Sequence, residues 1–158
     1  MEVRDVHLRY LVFDSRASLP APDAALLDLA LAATDQSYSP YSRFRVGAAA
    51  RMLSGEIVSG SNQENASYPV GICAERTLLS VASSLYPGIG ISALAVTAAS
   101  ATEPISPCGI CRQSLLEFQG RTGQPIRLIM GGTTGPVWVL EDARMLLPLA
   151  FTTDNLFP

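Results

Sequence analysis

Three cysteines and one carboxylate hold the reactive chemistry of this 158-residue chain. Cys73 stands two residues before Glu75, and Cys108 and Cys111 follow Pro107 in a Pro-Cys-x-x-Cys run. Three soft thiolate ligands suit Zn2+, and a carboxylate outside the ligand set suits a proton carrier for activated water. Three protein ligands leave one coordination position open, the count of a catalytic site. A closed structural site needs a fourth Cys or His. The sole histidine, His7, lies far away near the N-terminus. The expectation is one Zn2+ per chain on Cys73, Cys108 and Cys111, with Glu75 as the catalytic acid–base.

Other chemistries fall away on composition. All eleven basic residues are arginine, so Schiff-base lysines and a P-loop lysine are excluded. One remote histidine leaves no partner for a Ser-His-Asp or Cys-His pair. The net charge of −3 and the lack of an Arg-rich run disfavour a nucleic-acid partner. With 48% hydrophobic and 16% charged residues the chain is globular. No apolar run approaches the roughly 20 residues of a membrane span, so no membrane partner is expected. Residues 1–5 lead into no long apolar run, which makes the cytoplasm the expected location, where thiols stay reduced. Asn65-Ala66-Ser67 fits the glycosylation pattern and is set aside for the same reason.

The elements that must position these residues follow from periodicity and breakers. Residues 1–21 form an N-terminal lead-in, in which 8–13 could make a short edge strand; residues 22–158 form a single domain. Asp23 is an expected N-cap for a helix running to about Gln36, with Leu26, Leu27, Ala30 and Leu31 on one face. Residues 46–52 and 56–61 read as a hairpin about Ser54-Gly55. A polar loop through Asn62 leads to a helix over 73–85, then a strand over 91–97. A second helix opens after Pro107 and covers 108–118. Strands over 126–130 and 137–140 flank a Gly-rich turn, and a short helix over 141–147 follows. That turn lacks the lysine and following helix of a phosphate cradle. The order α-β-β-α-β-α-β-β predicts an α/β fold, a three-layer α/β/α domain with a mixed five-stranded sheet.

Both cysteine segments thus open helices, where unpaired backbone N–H groups favour thiolate. Cys108 and Cys111 share a face of the first turn, and Cys73 returns to them through a crossover. Three thiolates on Zn2+ leave a net charge of about −1, which must be offset for water to be acidified. Arg76 and Arg112 are candidates for donating hydrogen bonds to the sulfurs.

The chain resembles the cytidine deaminases of the small, three-cysteine, homotetrameric type. The resemblance runs from about residue 24 to 151. It rests on Tyr41-Ser42-Arg43-Phe44-Arg45-Val46-Gly47-Ala48-Ala49, Asn62-Gln63-Glu64-Asn65-Ala66, Gly71-Ile72-Cys73-Ala74-Glu75-Arg76 and Ser106-Pro107-Cys108-Gly109-Ile110-Cys111-Arg112-Gln113. The zinc segments occur across deaminases, with Cys73 in the place of a histidine in the commoner signature. The Asn62-x-Glu64-Asn65 segment is more selective for free nucleosides.

The resemblance implies that Asn62 and Glu64 hydrogen-bond the ribose hydroxyls. It implies that Phe44 packs against the pyrimidine ring and that the backbone near Ala74 contacts the base. It also implies a homotetramer in which Phe151 reaches a neighbouring subunit's site. The implied reaction is hydrolysis of cytidine and 2′-deoxycytidine to uridine, 2′-deoxyuridine and ammonia, with Glu75 shuttling the protons. Three rivals stay open: a deaminase of a nucleoside-like molecule such as blasticidin S, a deaminase acting on tRNA or single-stranded nucleic acid, and a non-catalytic zinc-binding module. Net charge counts against the second.

Overall fold

Side chains alternate across a strand with a period of two, and both faces of this sheet are buried. The computed structural model describes residues 1–156. Strand β2 (Val46–Met52) turns Ala48, Ala50 and Met52 to one hydrophobic cluster and Ala49 to another. β4 (Ile91–Ala98) divides Leu94 and Val96 from Ala93 and Ala95 in the same way. Helix α1 (Ala21–Ala33) covers the second face through Leu26, Leu27 and Ala30. Helices α2 (Ala74–Leu85) and α3 (Gly109–Thr122) cover the first through Leu78, Leu79, Ala82, Leu115 and Phe118. The result is the expected three-layer α/β/α arrangement.

Alanine dominates the sheet face toward α1, so that helix lies close. A Cβ on Gly47 would come within 2.0 Å of the Ala30 carbonyl oxygen. Only a glycine fits there.

The remaining strands are β1 (Leu11–Phe13), β3 (Ile57–Ser61), β5 (Arg127–Gly131) and β6 (Val137–Leu140). Their order is β1-β6-β5-β4-β2-β3. β4 and β5 pair in parallel, Leu94 opposite Leu128, and the other pairings are antiparallel. The sheet has six strands rather than five. The sixth is the edge strand of the lead-in, whose Leu11 and Phe13 face Val139 and Val137.

Two helical expectations are corrected. The N-cap of α1 is Pro20, not Asp23, and Pro22 sits in the first turn, where its missing N–H has no intrahelical partner to lose. Asp23 is buried instead against Arg127 of β5, at 2.9 Å. The helix ends at Ala33 and tightens into a 3-10 turn, Thr34–Gln36. The helix expected over 141–147 is a 3-10 turn, Ala143–Leu146, capped by Asp142 through the Arg144 N–H. Among the described residues no helix is long and apolar enough to cross a membrane.

β2 is antiparallel to both β3 and β4, so these two run in the same direction. The chain therefore makes two crossovers on one face, β3–α2–β4 and β4–α3–β5. Both helices begin at the end of the sheet where β3 and β4 finish, the usual place for a site in such folds.

Candidate active site

Cys73 and Cys108 are the N-caps of α2 and α3, both with extended backbone. Neither side chain caps its helix, so both sulfurs are free to turn toward each other. The Cys73 and Cys108 sulfurs are 3.7 Å apart, and those of Cys108 and Cys111 are 3.4 Å apart. All three lie within 4.8 Å of one another. A tetrahedral ion with Zn–S bonds of about 2.3 Å needs sulfurs roughly 3.8 Å apart. The trio fits zinc, and no other group of three such ligands occurs among the described residues.

The three thiols do not share one acidity. Hydrogen bonding from Cys111 lowers the Cys73 pKa to about 6 against its partial burial, and the Arg76 charge adds to the lowering. Cys111 is pushed the other way, chiefly by the hydrogen bond it gives Cys73 and by burial. Without a metal, Cys73 is thus the thiolate of the group.

Glu75 lies in the first turn of α2 and is only 4% exposed. Burial raises its pKa. It lines a cavity of about 630 Å3 together with Phe44, Asn62, Glu64, Cys73, Ala74 and Cys108. Seven of the residues singled out from sequence therefore meet in one cleft. Cys111 stands behind it, buried.

The polar residues of the cleft are already engaged. Asn62 Oδ1 accepts from the Val46 N–H at 2.8 Å and from the Ser37 hydroxyl at 2.6 Å, while its Nδ2 donates to the Phe44 carbonyl at 2.9 Å. Glu64 accepts from the N–H groups of Tyr41 and Ser42, at 2.9 and 3.2 Å, and from the Ser42 hydroxyl. The Ser42 hydroxyl, first among these donors, lowers the Glu64 pKa, so Glu64 is ionised. One N–H of Asn62 and one acceptor position of Glu64 are left for a ligand.

Three residues fall outside the cleft. Arg112 does not donate to sulfur. Its guanidinium is taken up by the Pro107 carbonyl at 2.8 Å, the Leu146 carbonyl at 3.2 Å and the Ser106 hydroxyl at 3.2 Å. It fastens the segment leading into Cys108. Arg76 contributes its charge to Cys73, with no hydrogen bond to a sulfur among the described residues, and faces a groove between α2 and α3. Phe151 is exposed and holds α3 through its carbonyl, which accepts from Gln113 at 3.0 Å. Ser42, Tyr68 and Ser106 line the cleft without having been singled out. Ser42 lay in a quoted motif, but its partner Glu64 is 22 residues away, so nothing local marked the contact.

Residues 20–123 match the family model described as the cytidine and deoxycytidylate deaminase zinc-binding region. The chain is 38% identical to a cytidine deaminase of Halalkalibacterium halodurans over 83% of its own length and 95% of the relative's. It is 47% identical to one from Sporosarcina psychrophila, over 78% and 87% of the two chains. The crystal structure of cytidine deaminase from Burkholderia pseudomallei superposes with a TM-score of 0.72 and 41% identity, covering 80% of this chain and 97% of that one. The matched region runs through every residue of the thiol cluster and Glu75. The chain belongs to the cytidine and deoxycytidylate deaminase family.

Proposed function

We propose that this protein hydrolyses the C4 amine of cytidine and 2′-deoxycytidine, giving uridine, 2′-deoxyuridine and ammonia. The observation that carries this is the joining of two chemistries in one cleft: a thiol trio with a buried carboxylate, and the Asn62–Glu64 pair.

Cys73, Cys108 and Cys111 would hold one Zn2+, which when bound supplies the Lewis acidity that makes water a nucleophile near neutral pH. Glu75 takes one proton from the attacking water and places it on N3 of the pyrimidine. The oxygen bonds to C4, and Glu75 then carries the second proton to the amine, which leaves as ammonia while the C4 carbonyl forms. A carboxyl with a raised pKa can both take and give protons. Phe44 offers an aromatic wall for the ring, and Ala74 lies at the start of α2 where its backbone can meet the base.

Asn62 and Glu64 between them retain one donor and one acceptor. A single sugar hydroxyl satisfies both, accepting from the amide and donating to the carboxylate. If that hydroxyl is the 3′ group, cytidine and 2′-deoxycytidine fit alike. Among the described residues no arginine lines this cleft or the adjoining hollow beside Tyr41 and Tyr68, and Glu64 is anionic. A nucleotide phosphate would find repulsion and no partner, which favours the nucleoside over deoxycytidylate.

The proposal extends to a cytoplasmic homotetramer with sites completed across subunit boundaries, which would use the exposed Phe151. The substrate is tested by incubating the protein with cytidine, 2′-deoxycytidine, deoxycytidylate and blasticidin S, and following ammonia. The two nucleosides should be consumed and deoxycytidylate spared. Preference for deoxycytidylate or blasticidin S would contradict the substrate. Zinc binding without release of ammonia from any of the four would favour a non-catalytic module.

A further inference from the structure

The chain between α1 and β2 is wrapped around two side chains from beyond β3. Asn62 joins the two ends of this loop, Ser37 at one and Phe44 and Val46 at the other. The Glu64 backbone N–H reaches the Tyr38 carbonyl at 2.7 Å, and its carboxylate takes the N–H groups of Tyr41 and Ser42. The only side-chain group of the loop bonded to that carboxylate among the described residues is the Ser42 hydroxyl.

That hydroxyl works in two directions. It donates to Glu64 Oε1 and accepts from the Phe44 N–H at 3.0 Å. A hydroxyl is suited to this because it is donor and acceptor at one atom. Between the two residues, Arg43 has φ of 57°, in the left-handed region that a residue with a side chain adopts only when its surroundings hold it there. Its N–H bonds the Ser39 carbonyl at 3.0 Å. The turn that presents Phe44 to the cleft is therefore strained at Arg43 and fastened on both sides of it.

We infer that Ser42 is a positioning residue of the nucleoside site: its hydroxyl ties the Glu64 carboxylate to the backbone of Phe44, fixing the sugar acceptor and the aromatic wall relative to each other. This deepens the nucleoside-deaminase reading and rests on it for its kinetic consequence. Ser42 touches neither reacting atoms nor metal, so its loss acts on substrate binding and leaves the chemical step. With the hydroxyl gone, the Phe44 N–H has no acceptor and the Arg43 turn relaxes. Glu64 also loses one of its three donors.

The test uses Ser42→Ala, Ser42→Thr and Glu64→Gln, each alone, and Ser42→Ala combined with Glu64→Gln. Two quantities are read on the full chain: KM and kcat for cytidine, and hydrogen–deuterium exchange of the peptide covering residues 41–44. Ser42→Ala should raise KM by about tenfold, the low end for a hydrogen bond to a charged group because the pair is partly open to solvent. It should leave kcat within about threefold and speed exchange at 41–44. Ser42→Thr, which keeps the hydroxyl, should restore most of both. Since Ser42 acts on the sugar through Glu64 as well as on Phe44, the double variant should lose less than the product of the two single losses.

Unchanged KM and unchanged exchange in Ser42→Ala would overturn the inference, as would a loss confined to kcat, or full additivity in the double variant. Should the wild-type protein convert no cytidine, exchange decides the matter alone. Faster exchange in Ser42→Ala with rescue by Thr would uphold the fastening while the nucleoside reading fails. No change in exchange would end both.

Discussion

Glu75 is a carboxylate almost closed off from water, and burial raises its pKa toward the range in which a group can pass protons both ways. Glu75→Gln keeps the shape and loses the proton traffic, so turnover should fall by about 10²–10⁴-fold, the usual loss for an acid–base group. Zinc content should stay near that of the wild type, because the cysteine sulfurs form the trio without Glu75. Retained turnover would remove Glu75 from the chemistry, and lost zinc would make it structural. At this scale sequence is informative where residue type alone limits the chemistry. Three cysteines with no second histidine leave few options, and Cys73, Glu75 and Cys108 meet at the cleft with Cys111 buried behind it. The arginines are a different matter. Whether Arg112 reaches sulfur or carbonyl depends on where the Pro107 and Leu146 carbonyls come to lie, and Leu146 is 34 residues away. Spacing carries no record of that. For Asn62 likewise, the sequence places it on a polar loop but cannot tell that most of its amide is spent on the loop facing it.

At the scale of elements, the position of α2 depends on how closely it lies on β3. A Cβ on Gly60 would fall 2.7 Å from the Leu78 nitrogen and 2.8 Å from the Ala74 carbonyl oxygen, both backbone atoms of α2. Gly60→Ala should therefore cost about 1–3 kcal/mol by overpacking. It should also loosen zinc retention, since α2 begins directly after Cys73. Gly120→Ala, on α3 with nothing within 4 Å, is the contrast and should stabilise by about 0.5–1 kcal/mol. Denaturant melts of both variants check this, and equal losses would mean that close approach is not the cause. A second junction joins α3 to the turn after β6. Burial works to raise the Asp142 pKa, but hydrogen bonds from Arg144 and Gln119, with the Arg144 charge, prevail and lower it. A carboxyl whose folded pKa is depressed stabilises fully above its unfolded value of about 3.9, and loses that contribution as pH falls through the folded value. The stability gap between wild type and Asp142→Asn should hold from neutral pH to about pH 5 and close in more acidic solution; a gap independent of pH would contradict the ionised junction. Strand positions were legible from alternation and breakers, β2 and β6 to the residue. The ends of α1 were not, because Asp23 is a good cap by type while the partner it is buried against, Arg127, lies 104 positions away.

For the whole molecule, large apolar side chains remain exposed: Tyr68, Ile110 and Phe151 are 75%, 63% and 59% accessible in the single chain. The proposed assembly would cover such groups. A homotetramer with 222 symmetry should scatter light at four times the 16.8 kDa of one chain. Phe151→Ala should then lower activity with little loss of zinc. A fully active monomer would refute the assembly, and a normal Phe151→Ala enzyme would refute only the contact across subunits. The three-layer order was legible in the sequence because each crossover needs a helix between strands that run in one direction. The sixth strand escaped the count because three residues at the edge carry little pattern of their own. The most direct test of the central claim is made on one sample of purified protein, never exposed to chelator, assayed for zinc and then given cytidine. The account predicts one zinc per chain and one ammonia released for each cytidine converted to uridine. A protein with its full zinc that leaves cytidine unchanged would contradict it.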